Sequence, residues 1–200
     1  MSVDRPTLTT RATLFLRLNT TNATRHQIAW QEFHARYSPI IGGFARKMGA
    51  QQQHEIEDVI QDVMIGFFAH APTFVYDPAR GRFRGYLKVC TFRALRDRLR
   101  HRARFKTVPL DQLAEDDAGI EQVWDESWQH ELLNRAVAAV RTTYANNNTF
   151  RAFTLHVLDD EPVDAVAAKL GMSVASVYKA KQRVTAAVQR EFQALQEIEG

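Results

Sequence analysis

The stretch Glu55-Ile-Glu-Asp-Val-Ile-Gln-Asp-Val-Met-Ile-Gly-Phe-Phe-Ala69 decides the fold class. Ile56, Val59, Ile60, Val63, Met64, Phe67 and Phe68 recur at three- and four-residue steps, the period of one face of an α-helix. That face is expected to be core. On the other side Asp58, Gln61, Asp62 and Ile65 form a second stripe at helical spacing. Acids there suit a solvated surface, but an isoleucine among them suits contact with a basic partner helix.

Outward from this helix the pattern stays helical. From Arg25 to Met48 the residues Ile28, Ala29, Phe33, Tyr37, Ile40, Ile41 and Phe44 follow a similar period, with Pro39 and Gly42-Gly43 expected to kink or break it. The first two dozen residues, rich in Thr and Asn, carry only a weak helical signal. Phe74-Val75-Tyr76 is the one short apolar run with strand character, and it lies between Pro72 and Pro78, so a loop is expected. A third helix should start near Phe83, with Phe83, Leu87, Cys90 and Ala94 inward and Arg84, Lys88 and Thr91 projecting toward a ligand.

The 200 residues carry a formal charge of only +3, yet the charge is sorted into blocks. Arg80 to Lys106 holds eleven Lys or Arg against one acid, Asp97, whereas Asp111 to Glu131 holds eight acids and no Lys or Arg. The first block calls for a polyanion. The second is expected to be a solvated linker that such a partner repels. Aromatics interleaved with the cations (Phe74, Tyr76, Phe83, Tyr86) suit single-stranded or distorted nucleic acid, since bases stack on rings while guanidinium groups hold the backbone.

Glu161 to Arg190 reads as two helices around Gly171. Val163, Val166, Ala167 and Leu170 form the first stripe and Ser173 caps the second helix, whose Val174, Val177, Val184 and Val188 lie opposite Ala175, Lys179, Gln182 and Arg183. A small residue four before the turn and apolar residues six and nine after it, Ala167, Val177 and Ala180, give helix-turn-helix spacing. Used on DNA, the second helix would set Ala175, Ser176, Lys179 and Gln182 near base edges and Arg183 near phosphate.

Function classes narrow accordingly. With 45% hydrophobic residues and no long apolar run, neither disorder nor a membrane span is expected, and one cysteine suits a reducing, cytoplasmic compartment. His54, Asp58 and Asp62 share a metal-ligand spacing that a nuclease could use, but there is no second ligand cluster and no phosphate-binding glycine loop. No enzyme and no cofactor is expected. A helix-turn-helix regulator acting on duplex DNA without polymerase is the other reading, though it leaves the aromatic loop and the acidic stripe without a role.

Taken together, Asp58-Val-Ile-Gln61-Asp62-Val-Met, then Phe74-Val-Tyr-Asp-Pro-Ala-Arg-Gly-Arg-Phe-Arg-Gly-Tyr-Leu87, an acidic linker and a C-terminal helix-turn-helix resemble the sigma-70 family, in its small extracytoplasmic-function subgroup. The resemblance implies two all-α domains: an N-terminal extension over 1–24, region two over 25–106, a linker over 107–127 and region four over 128–195. It implies that Asp58, Gln61, Asp62 and Ile65 grip the β′ clamp helices of core RNA polymerase, with the β flap as a further contact. Tyr76, Arg80, Arg82, Phe83, Arg84, Tyr86, Lys88 and Thr91 would meet the melted minus-ten element. Ser173, Ala175, Ser176, Lys179, Gln182 and Arg183 would read the minus-thirty-five duplex, and an anti-sigma protein is a further implied partner. Tyr86 stands where many relatives carry Trp, and Arg93 where many carry Asn.

Overall fold

A computed structural model describes residues 11–70, 83–105, 117–145 and 148–199, and among them every regular element is helical. The helices are α1 (Arg11–Leu18), α2 (Ala23–Lys47), α3 (Gln53–His70), α4 (Phe83–Phe105), α5 (Asp117–Thr143), α6 (Asn148–Phe153), α7 (Val163–Leu170) and α8 (Val174–Glu199), with a π-helical turn, Thr154–Leu158, following α6. The chain divides into two compact units, one running to Gln129 and taking in Glu199, the other His130–Ile198. No described helix is long and apolar enough to cross a membrane.

The first unit is built on aromatic rings. Phe33 of α2 stacks on Phe67 of α3 at 4.5 Å and 5°. Phe83, at the start of α4, packs edge-on to Phe67 and against Tyr37 at 5.2 Å. Offset and edge-on arrangements satisfy the ring quadrupoles while burying large apolar areas. Two caps set where the helices begin: Asn22 Oδ1 accepts the Arg25 amide at 3.0 Å, and Glu55 accepts the amides of Gln51 and Gln52 at 2.8 and 3.1 Å.

Three expectations change here. The weak N-terminal signal is a real helix: Leu14, Phe15 and Leu18 of α1 are buried, and Phe15 meets Phe83 at 4.8 Å. α2 runs unbroken through Pro39, because Ile40, Ile41 and Phe44 beyond it are buried and their packing outweighs the one lost backbone bond. Gly42 has a positive reason to be glycine. A Cβ built there would lie 3.2 Å from Ile56 Cγ2 and 3.3 Å from Ile60 Cδ1, so its absence lets α2 and α3 cross closely.

The third change concerns the acidic segment. Expected as a solvated linker to residue 127, it is helical from Asp117 onward, with Trp124 and Trp128 fully buried in the first unit. Trp124 meets Phe44 edge-on at 5.2 Å, and Trp128 lies 6.2 Å from Tyr37. Residues four apart on one helix face put both indoles into the core, and Glu121 and Asp125 flank them at its edge. The earlier part of the expected linker, 107–116, lies outside the described residues.

The second unit is built on small side chains. Ala152, Val166, Ala167, Val177 and Ala180 form its core around α6, α7 and α8, with Leu155, Val163, Leu170 and Met172 packed against it. Gly171 ends α7 at φ +62°, the left-handed conformation in which glycine carries no Cβ penalty. Met172 N–H then closes onto the Ala167 carbonyl at 2.9 Å. Ser173 Oγ accepts the Ser176 amide at 3.2 Å and so caps α8.

Candidate nucleic-acid interface

On α3 the stripe Asp58, Gln61, Asp62 and Ile65 is on the outer side of the helix, and Ile65 is 59% exposed. The two acids also have a partner in the chain itself. Arg98 of α4 donates from Nη1 to Asp58 Oδ2 at 2.6 Å and from Nε to Asp62 Oδ2. The hydrogen bond to Asp62 raises the guanidinium pKa, against the opposing effect of burial. Both carboxylates keep more than two-fifths of their surface open, so a second cation can still approach them. Exposed pairs of this kind are individually weak and serve mainly to hold the side chains in place. Among the described residues no group of three or more His, Cys, Asp or Glu could hold a metal ion.

Beside the stripe lies an apolar groove of about 580 Å³, lined by Trp30, Met64, Ile65 and Phe68 among others. Phe68, expected in the core, is 54% exposed and rests on Trp30 at 4.9 Å. Its place at the edge of the apolar arc, next to the polar face, was the available signal.

α4 sends its cations in different directions. Phe83, Leu87, Thr91 and Leu95 are its buried line, one residue round from the expected Phe83, Leu87, Cys90, Ala94 stripe. Thr91 is therefore not a ligand-facing residue: it is fully buried, and its hydroxyl donates to the Leu87 carbonyl at 2.8 Å. A threonine can satisfy its own oxygen on the preceding turn, which lets it stand among apolar side chains. Phe83 likewise belongs to the core, at 2% exposure. Tyr86 is half-buried, and burial, followed by a hydrogen bond with Cys90, pushes its hydroxyl up to about 12. Tyr76, Arg80 and Arg82 lie outside the described residues.

Arg84 and Lys88 do share a face, and α5 covers it. Asp125 pairs with Arg84 and Glu121 with Lys88, while Glu126 accepts from Lys47 of α2 at 2.9 Å. The Arg84 guanidinium also sits 5.3 Å from the centre of the Trp128 ring. The hydrogen bond from Lys47 holds the Glu126 carboxyl below the usual range. Arg93 and Arg100 are exposed.

In the second unit Ala175, Lys179, Gln182 and Arg183 are exposed along one side of α8. Ser173 and Ser176 sit at its N-terminus with their hydroxyls 2.8 Å apart, so the cap uses them before any partner does. Val174 is 36% exposed and does not join Val177, Val184 and Val188 in the core. Tyr178, unremarked in the sequence, is 47% exposed and packs edge-on to His156 at 5.8 Å. It adds a ring to a surface that otherwise offers amide and cationic groups.

No curated protein and no solved structure matches the chain. Residues 33–105 match the family model described as Sigma-70 region 2, a span that contains all of α3 and α4 and hence both the acidic stripe and the cationic helix. That part of the chain is similar to sigma-70 region 2, and the match supports membership of the sigma-70 family.

Proposed function

We propose that the chain is a two-module sigma factor of the extracytoplasmic-function subgroup, which binds core RNA polymerase and directs promoter recognition, melting and initiation. The observation that carries the reading is the outward stripe Asp58, Gln61, Asp62 and Ile65 within the region 2 match. Acids with open oxygens beside an exposed isoleucine are suited to a basic, partly apolar helix such as those of the β′ clamp, with the β flap a second contact.

In this reading Arg84, Tyr86 and Lys88, together with Tyr76, Arg80 and Arg82, serve the minus-ten element. An unpaired base held against an aromatic ring gains roughly 1–3 kcal/mol of stacking, which offsets unstacking from the duplex. Melting is thus driven by capture, without hydrolysis. Upstream, α8 enters the major groove of the minus-thirty-five element with Ala175, Lys179, Gln182 and Arg183, while Ser173 and Ser176 bring the helix N-terminus toward a phosphate. Two modules of modest affinity gain from a common mount, so the isolated chain binds promoters weakly and the holoenzyme binds them well. An anti-sigma protein that competes for the α3 stripe would hold the factor inactive.

The test adds the full chain to core polymerase on a promoter library and maps start sites. Defined starts are expected, and Asp58→Lys with Asp62→Lys should weaken polymerase binding about a hundredfold while leaving the helical signal unchanged, because like charges then face each other. Starts that do not depend on the chain would overturn the reading. Tight duplex binding without polymerase would replace it with a polymerase-independent regulator.

A further inference from the structure

The acids of α5 are not scattered over its surface. Glu121, Asp125 and Glu126 meet Lys88, Arg84 and Lys47, three cations from two other helices of the same unit. The cations are the deeper members of the two α4 pairs: Arg84 and Lys88 retain 17% and 24% of their side-chain surface, against 51% and 52% for Asp125 and Glu121. Carboxylate oxygens therefore lie over these cations where an approaching phosphate would have to place its own. The acids are also aimed: Trp124 and Trp128, buried beside them on the same helix, fix its rotation, and Trp128 backs the Arg84 guanidinium.

We propose that the Asp117–Gln129 part of α5 is a built-in competitor for nucleic acid, occupying the Arg84 and Lys88 face until a polyanion displaces its carboxylates. The proposal rests on the reading that this face meets promoter DNA. Two features make the cover releasable. Each pair is exposed on its acidic side, where ion pairs are weak and salt-screened. A nucleic-acid strand also brings successive phosphates and releases condensed counterions on binding, a gain that three carboxylates fixed on one helix do not have. DNA that reaches the face only after this exchange binds less tightly than the cation count implies, which restrains unassisted binding by the isolated factor.

The experiment measures binding of the full chain, without polymerase, to a labelled mixed-sequence single-stranded DNA of about 30 nucleotides at about 50 mM salt. Glu121→Gln, Asp125→Asn and Glu126→Gln are combined, leaving both tryptophans in place, and should tighten binding at least about fivefold. Asp159→Asn, Asp160→Asn and Asp164→Asn change the charge equally in the second unit and should give less than about a twofold gain. Adding Arg84→Ala and Lys88→Ala to the α5 variant should abolish the gain. Should the triple variant fail to fold, Glu121→Gln alone is expected to give about a twofold gain.

No gain from the folded α5 variants, an equal gain from the control set, or a gain that survives loss of Arg84 and Lys88 would each overturn the competitor. If the gain appears as described but Arg84→Ala with Lys88→Ala leaves polymerase-directed initiation unchanged, the competitor stands and the promoter reading of this face fails.

Discussion

The two units treat their candidate contact residues in opposite ways. In the first, Arg84, Lys88, Asp58 and Asp62 are each engaged by an opposite charge from another helix. In the second, Lys179, Gln182 and Arg183 are exposed, and no acid among the described residues pairs with the two cations. The cores differ in parallel. Rings such as Phe33, Phe67 and Phe83 fill the first, whereas alanines and valines let short helices cross closely in the second. A surface already compensated by its own chain has to exchange partners to act, while an uncompensated one can engage directly. Binding by the first unit should accordingly depend more on context, and binding by the second more on sequence.

The largest effect should separate the two cores. Phe33→Ala removes a stacked, fully buried ring and is expected to cost about 3–5 kcal/mol. Ala167→Leu overfills the small-residue core and should cost about 1–3 kcal/mol. The three tryptophans, Trp30, Trp124 and Trp128, all lie in the first unit, so their fluorescence follows that unit while far-UV dichroism follows both. Phe33→Ala should lower the denaturation midpoint by fluorescence, and Ala167→Leu should lower it mainly by dichroism. Equal shifts in both signals for both variants would mean that the units unfold as one body and would break the comparison.

An intermediate effect is expected at the uncovered surface. Lys179→Ala or Arg183→Ala should weaken the hold of the holoenzyme on upstream duplex and make the salt dependence of binding shallower, by about one unit of slope for each phosphate no longer neutralised. An unchanged upstream footprint and slope would remove α8 from recognition.

The smallest effect concerns Glu131, whose carboxyl pKa is raised by burial, with Arg135, Asn134 and His130 pulling it the other way. A folded pKa above the unfolded one means that the ionised group is penalised in the folded state above that pKa, and that the penalty fades as pH falls through it. Glu131→Gln should therefore raise the melting midpoint slightly at neutral pH, with the difference closing below the ordinary glutamate range of about 4.3. A lower midpoint for the variant at neutral pH would contradict this.

How much was legible in the sequence follows from where the information lies. α3 could be read because its apolar residues are large and strictly periodic, and the α7 to α8 pair because Gly171 and Ser173 mark the turn chemically. The phase of α4 was missed by one residue because Thr91 counts as polar in a pattern yet satisfies its hydroxyl on Leu87. α1 was too short to establish a period, although Leu14, Phe15 and Leu18 were its core residues. In α5 the acids dominated the reading and hid Trp124 and Trp128, spaced four apart among them. The pairing of Arg98 with Asp58 and Asp62 links residues about forty apart in the chain, so no local pattern contains it.

Gly42 has a consequence beyond packing. Ile56 and Ile60, the side chains that close over it, belong to the helix that carries Asp58 and Asp62. Adding one methyl group at this point would make the tips of those two side chains yield by a few tenths of an ångström, without altering either acid. The seat of that helix on its neighbour is thus tuned from a position that carries no side chain of its own.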